Sequence, residues 1–441
     1  MVVTRSSAAA EDTKAKGESY LVIGGCGFLG RYIVEQLLER GETQVAVFDL
    51  VQRHFDTNVT FYIGDISKEE DVVNAITKSN ATAIIHTASP AHGLGAQVYE
   101  LVNVIGTRNV IDASIEHGVK KLVYTSSAGV IYNGIHDITS ADERLDFPIK
   151  PLDAYNHTKV QAEKMVLSAN SKEFKTCAIR PAGLFGPGDR QVIQGFYNVI
   201  KNGQTRFQIG DNNNLNEFTY VANAAHAHLL AIDKLDTTYP YSSFRDPIPS
   251  IDLSLGGYRI PTSEARPLGP NTEPTERDLM AARKFESGQD EESDLRPVLR
   301  NRMDQFASEA NELDQGGCPI AGQAFFVTNG EPTYFWDFAR TVWRELGADL
   351  SKPPFVIPTM IGMLIAALAE IYSKLMEREA GFTKFRVAIA SQNRYYDIER
   401  ARRLLGYEPV IGLEEGMRRW TEWYKTEMSK MGQAGETAKT K

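Results

Sequence analysis

The residues with the most chemical potential in this 441-residue chain are Tyr155 and Lys159, in the stretch Leu152-Asp-Ala-Tyr-Asn-His-Thr-Lys159. They stand at i and i+4, so in a helix both project from one face. A free phenol has a pKa near ~10 and is a poor base at neutral pH. A neighbouring ammonium favours the phenolate and lowers that value, as does a cationic ring beside it. A hydroxyl such as Ser127 can hold a reacting substrate oxygen and stabilise charge on it; Ser126 is the rival for that place. Taken alone, such a pair is common on helix surfaces and only structural. Its weight depends on what precedes it in the chain.

What precedes it is a glycine-rich turn. The apolar run Leu21 to Ile23 reads as a buried strand, and Gly24, Gly25, Cys26, Gly27, Phe28, Leu29 and Gly30 follow at once. A helical pattern begins there, with Ile33, Val34, Leu37 and Leu38 apolar and Arg31, Glu35, Glu39 and Arg40 polar. In this context the glycines allow a tight turn, close approach of backbone to a pyrophosphate, and close packing of helix on strand. The helix N-terminus then offers free N–H groups and a positive dipole end to phosphates. Asp49 ends a second strand about 20 residues on, where an acid binds ribose hydroxyls. The expected cofactor is NAD, since a carboxylate at Asp49 repels a 2′-phosphate; Arg53 is the opposing influence.

The elements that must position these groups alternate strand and helix. Strands are predicted over 44–49, 59–63, 81–86 and 121–125, and helices over 71–78, 98–117 and 152–168. Such alternation predicts a parallel sheet covered by helices on both faces. Ligands in such sheets bind beyond the C-terminal strand ends. Asp65, Ile66, Thr87, Ala88, Ser89 and Ser127 all lie there, and their joint placement favours a site. His86 and His157 are read as structural.

Length allows more than one domain, and a net charge of −9 argues against nucleic acid. Cys26, Cys177 and Cys318 lack metal spacing and offer no disulfide framework, which fits a reducing compartment. No metal is expected. The first 19 residues are polar and small and read as a loose tail.

These motifs resemble the extended short-chain dehydrogenases: Gly24-x-x-Gly27-x-x-Gly30, Ser127 and Tyr155-x-x-x-Lys159. Further matches are His86-Thr-Ala-Ser-Pro90, Asn103-Val-Ile-Gly-Thr107, Arg180-Pro-Ala-Gly-Leu-Phe-Gly-Pro-Gly-Asp189 and Glu217-Phe-Thr-Tyr-Val221. Within that superfamily the chain looks most like the 3β-hydroxysteroid dehydrogenases, and among these like the sterol-4α-carboxylate 3-dehydrogenases (decarboxylating). The likeness is dense over residues 20–235 and resumes from Gly322 to about Lys425. It implies an α/β, Rossmann-like doubly wound parallel sheet with a smaller C-terminal substrate-binding region. It implies Tyr155 as acid/base, Lys159 as its partner and ribose anchor, and Ser127 as donor to the substrate oxygen. Pro181 to Leu184 would pass the nicotinamide carboxamide, and Asn103 is either a proton-relay support or a structural residue. It also implies a sterol substrate, other sterol-demethylation enzymes as partners, a homodimer, and attachment to the cytosolic face of the endoplasmic reticulum, with a cytoplasmic location as the alternative. One departure is Ile23, where the family has a threonine that ties the turn together. The rival enzyme of the same fold is a nucleotide-sugar epimerase or dehydratase. A non-catalytic NAD(P)-sensing protein is the reading from another class, and the intact Tyr155 and Lys159 argue against it.

The pattern divides the chain into a cofactor domain over 20–236, a mostly disordered insertion over 237–317, a C-terminal region over 318–428 and a tail over 429–441. The most apolar run, Phe355 to Ala369, falls short of the ~20 residues that cross a bilayer. It reads either as a core helix or as an interfacial helix lying in a membrane surface, and the lipid-soluble substrates of the family favour the second.

Overall fold

The computed structural model describes residues 17–53, 56–91, 93–244, 317–376 and 382–439. The tail before residue 17 and most of the insertion, including the expected local order at 251–261, lie outside the described residues.

Seven parallel strands form the main sheet, numbered here in chain order. They are β1 (Tyr20–Ile23), β2 (Val45–Asp49), β3 (Val59–Ile63), β4 (Ala83–His86), β5 (Lys121–Thr125), β6 (Lys175–Pro181) and β7 (Ala324–Val327), in the order β7-β6-β5-β4-β1-β2-β3. Strands β1, β4, β5 and β7 are buried along their whole length, which is why they read as continuous apolar runs rather than alternating ones. The order reverses between β1 and β4, and the crevice at such a reversal is where ligands bind. Helices Phe28–Glu39 and Val221–Lys234 cover one face, and Glu69–Ser79 and Thr107–Glu116 lie on the other with Ala154–Ser168.

Two departures from the sequence reading matter for the site. The expected 98–117 helix is broken into Ala96–Tyr99, a π-helical stretch Glu100–Gly106, and Thr107–Glu116. The residues on either side of the insertion are also interleaved in space. Strand β7 completes the cofactor sheet by pairing with β6, Phe325 opposite Ile179. A four-stranded sheet joins Thr333–Tyr334, Leu215–Asn216, Arg394–Tyr396 and Ile138–Ala141. The division at residue 236 is therefore one of sequence, and both halves build both sheets.

Pro358 stands before the last apolar segment. Phe355–Ile357 is a short strand paired with Phe207–Ile209, and the helix runs from Thr359 to Leu375. Among the described residues no helix is long and apolar enough to cross a membrane.

Candidate active site

The glycine turn is held by its own backbone and by two neighbouring strands. Gly24 N–H donates to Phe48 O at 2.8 Å, and Gly27 N–H donates to Gly24 O at 2.9 Å. Gly24 has φ +80°, and a Cβ there would lie 2.7 Å from Ala88 N. A Cβ on Gly30 would lie 2.2 Å from Gly24 O, so the helix can approach the turn only without a side chain there. The missing threonine at Ile23 has a substitute from β4: the Thr87 hydroxyl donates to Ile23 O at 2.9 Å and its backbone N–H donates to the same oxygen at 2.8 Å. Thr87 and Ala88 thus support the turn from the next strand end.

Helix Phe28–Glu39 has no side-chain cap at its N-terminus and no acid in its first turn. Asp49 accepts from Cys26 N–H at 2.9 Å and from Leu50 N–H at 2.8 Å. The carboxylate therefore already orders the turn from the side where a ribose would sit. The Cys26 and Leu29 side chains belong to the core, so what they offer a ligand is backbone, whereas Gly27 and Phe28 remain half-buried. A glycine cradle, an uncapped helix end and a carboxylate at the second strand end fit a dinucleotide. Asp65 accepts from Ser67 N–H at 2.9 Å, and Ile66 O accepts from Asn109 at 2.9 Å, so this strand end is a braced turn.

Tyr155 and Lys159 lie on helix Ala154–Ser168, whose first turn is capped by Asp153 accepting from Asn156 N–H at 2.8 Å. Tyr155 is half-buried, while Lys159 is only 2% exposed. The Lys159 ammonium donates to Thr125 O at 2.9 Å and to the Tyr124 hydroxyl at 3.2 Å. Burial pushes the Lys159 pKa down to about 7, opposed by the charge of Glu163. The phenol of Tyr155 is pushed up to about 12 by burial, opposed by hydrogen bonds from the Ser89 and Ser127 hydroxyls. Desolvation is the largest influence on the phenol, and the contributions that lower its pKa come from the two serines.

Ser126 and Ser127 differ in burial and in partners. Ser126 is 3% exposed and donates to Glu163. Glu163 in turn is held by Arg180, with Arg180 Nε at 3.0 Å from Oε1. Ser127 remains half-buried, accepts from Gly129 N–H at 3.0 Å, and reaches the phenol. Ser89, expected only among cofactor contacts, also donates to Asn103 Oδ1 at 3.0 Å. Asn103 is 1% exposed and donates to Thr158 Oγ1 at 3.0 Å, and Thr158 donates to Tyr155 O at 2.9 Å. This chain ties the π-helical stretch to the catalytic helix, and a single π turn is often found at functional sites. Tyr99 packs edge-on against the Tyr155 ring at 5.6 Å. Nothing in local spacing marks Tyr99, which meets the site across a sequence gap, whereas Tyr124 opens the stretch Tyr124-Thr-Ser-Ser127.

His86 is fully buried, touches Thr107 at 3.1 Å, and is held neutral by desolvation, with its pKa down to about 3. His157 points out as an exposed residue. Both are structural. Pro181 ends β6 in the core, and Leu184 lies half-buried in strand Gly183–Phe185.

The sequence matches the profile of the 3-beta hydroxysteroid dehydrogenase/isomerase family over residues 21–246 and 304–357. It is 39% identical over 416 residues to the sterol-4-alpha-carboxylate 3-dehydrogenase, decarboxylating, of Schizosaccharomyces pombe, covering 93% of this chain and 98% of that protein. It is 32% identical over 410 residues to the protein of the same name from Mus musculus, covering 92% and 90%. Among solved structures it is similar to a UDP-glucose 4-epimerase of Thermotoga maritima with UDP-glucose, at 19% identity and a TM-score of 0.58 over 93% of this chain and 99% of that one. A dTDP-glucose 4,6-dehydratase of Bacillus anthracis in complex with NAD is similar at 14% identity and a TM-score of 0.57, over 93% of this chain and 97% of that one. At these identities the solved structures establish the fold, an α/β sheet of the Rossmann type. With a profile matched over more than half its length and relatives 32–39% identical along nearly all of it, the chain belongs to the 3-beta hydroxysteroid dehydrogenase/isomerase family.

Proposed function

We propose that this chain oxidises the 3β-hydroxyl of a 4α-carboxysterol with NAD, and that the product loses its carboxylate to give the 3-ketone, a step of sterol C-4 demethylation. The observation that carries the reading is a half-buried Tyr155 flanked by the Ser89 and Ser127 hydroxyls on a family dehydrogenase scaffold. The glycine turn, the free N-terminus of helix Phe28–Glu39 and Asp49 would hold the dinucleotide, together with Ile66, Thr87, Ala88, Pro181 and Leu184. Bound NAD supplies the hydride acceptor. Tyr155 removes the hydroxyl proton as the C3–H bond gives up its electron pair. The Ser127 hydroxyl donates to the same oxygen and keeps it aligned with the phenolate. Lys159, held by Thr125 O and Tyr124, supplies positive charge beneath the phenol once protonated. In the resulting β-keto acid the C4–carboxylate bond breaks, carbon dioxide leaves, and its electron pair passes into the C3 carbonyl. Tyr155 and Ser127 hold the oxygen on which that charge collects, and a proton returns to C4.

The reading is tested by incubating the protein with NAD and a 4α-carboxysterol, and in parallel with UDP- and dTDP-sugars. NADH absorbance together with a decarboxylated ketone by mass spectrometry is the expected outcome. Conversion of a nucleotide sugar instead would establish the epimerase or dehydratase reading.

Two further parts of the proposal concern assembly. The substrate's chemistry supports attachment to the cytosolic face of the endoplasmic reticulum, beside the other enzymes of C-4 demethylation. A homodimer is supported by the exposed apolar residues Val98, Leu101 and Ile105, which lie close together along the helical segment Ala96–Gly106. Cross-linking followed by Leu101→Glu and Ile105→Glu tests it: a monomer is the expected result for the variant.

A further inference from the structure

The proposed reaction brings a carboxylate into the protein next to the carbon that is oxidised, and no residue described above is its partner. Burying an unpaired carboxylate is costly, so a cation is expected close to it. Most of the buried positive charge is already engaged. Arg180 pairs with Glu163, Arg144 with Asp142 and Arg400 with Glu143. Lys159 donates to Thr125 O and to the Tyr124 hydroxyl. Arg394 is the exception. It is half-buried on strand Arg394–Tyr396, and among the described residues no acid pairs with it. Its Nε is buried without a hydrogen-bond partner. The guanidinium lies over the Tyr132 ring, 4.9 Å from the centroid. Its charge also opposes the effect of burial on the Tyr396 phenol, so Tyr396 is its second aromatic neighbour.

The nearby acids are engaged elsewhere. Asp137 accepts from Asn393 N–H at 3.2 Å and from Asn393 Nδ2 at 3.1 Å. Glu217 accepts from the Thr328 hydroxyl and from Tyr396 N–H. Burial pushes its pKa up to about 8, so at neutral pH it is mostly uncharged. Arg394 is also tied to the reacting residues. Tyr132 follows the short helix Ala128–Ile131 that Ser127 caps. Its backbone oxygen accepts from Leu152 N–H at 3.2 Å, just ahead of the helix that carries Tyr155. The ring under the guanidinium is therefore fixed by the Ser127 segment and the Tyr155 segment together. In the small sheet Arg394 stands opposite Asn216. A guanidinium presents its donors in a planar fork that matches a carboxylate, and an aromatic face beneath it holds the fork in place.

We infer that Arg394 selects for the carboxylate of the substrate, holding it in an ion pair while the neighbouring hydroxyl meets Tyr155 and Ser127. The inference rests on the sterol reading above and adds the group that distinguishes a carboxysterol from a neutral 3β-hydroxysterol. Such an ion pair forms before hydride transfer and is kept through it, so it acts on binding rather than on the rate of that step. The test compares a 4α-carboxysterol with the same sterol lacking the carboxylate, in wild type, Arg394→Gln and Arg394→Lys. NADH formation gives kcat and KM, and fluorescence titration of the protein–NADH complex gives Kd for each sterol. The ratio between the two sterols within one protein does not depend on how much of that protein is folded. Arg394→Gln should weaken binding of the carboxysterol roughly 10²-fold, with kcat near wild type and the neutral sterol unaffected. Arg394→Lys should recover part of the loss, since it keeps the charge without the fork. An unchanged ratio in Arg394→Gln, or an equal loss for both sterols, would overturn the inference and leave the sterol reading standing. Failure of wild type to bind or oxidise the carboxysterol would overturn both.

Discussion

At the scale of single residues, two adjacent serines have been given unlike tasks by their surroundings. Ser126 is buried and donates to Glu163 within the Glu163–Arg180 ion pair. Ser126→Ala should leave that carboxylate short of a donor and cost roughly 1–3 kcal/mol of stability, seen as a lower urea midpoint with near-normal kcat. Ser127→Ala should act mainly on the chemistry: kcat lower by roughly 10²–10³, the loss seen when one donor to a developing oxyanion is removed, with a smaller fall in melting from the lost cap on Gly129 N–H. Tyr155→Phe removes the titrating oxygen and little else. Turnover should be abolished while NAD titration by protein fluorescence gives an affinity near wild type. Wild-type rates in that variant would remove Tyr155 from the proton transfer.

At the scale of elements, Glu217 joins two segments that come together only in the folded chain. Its carboxylate accepts from the Thr328 hydroxyl at 2.8 Å and from Tyr396 N–H at 2.7 Å. Burial pushes its pKa from 4.5 up to about 8. A folded value above the unfolded one means that the native state holds a proton which the unfolded state has released. The stabilisation is complete below pH 4.5 and is lost as pH rises toward 8. Glu217→Gln keeps an acceptor and a donor without the titration. Its stability relative to wild type should increase from pH 5 to pH 8 in urea unfolding, and a constant difference would show that Glu217 does not titrate in that range. The glycine turn is similarly sensitive. A Gly30→Ala methyl would have to displace the Gly24 carbonyl, which is backbone, so both melting temperature and NAD affinity should fall.

At the scale of the whole molecule, the insertion leaves and re-enters at one place. Thr238–Tyr239 pairs antiparallel with Cys318–Pro319, Tyr239 opposite Cys318, and Phe244 still packs in the core. Closing a loop there with fewer residues costs less entropy than closing the long one. Replacing residues 245–316 by a short Gly/Ser linker should therefore leave melting and turnover of solubilised substrate close to wild type. Aggregation of that variant would show that the replaced segment contributes to the fold.

Much of this protein could be read from local pattern. Strand, glycine turn and helix at 20–39, the acid at Asp49, and the i, i+4 pair Tyr155 and Lys159 are short-range features, and short-range geometry is what residue spacing encodes. The alternation through Thr125 specified a parallel sheet for the same reason. Other features were decided by contacts between distant segments. Ser127 was separated from Ser126 by Arg180 and Glu163, and Thr87 took over the bracing that Ile23 lacks. Strand β7 entered the cofactor sheet from beyond the insertion. The two serine hydroxyls that bond the Tyr155 phenol were brought to it from other segments. The apolar run at 355–369 has one composition whether it faces the core or a lipid surface. Only the packing of Gly362 and Ala366 against Ile209, Trp343 and Val387 turned its large side chains outward.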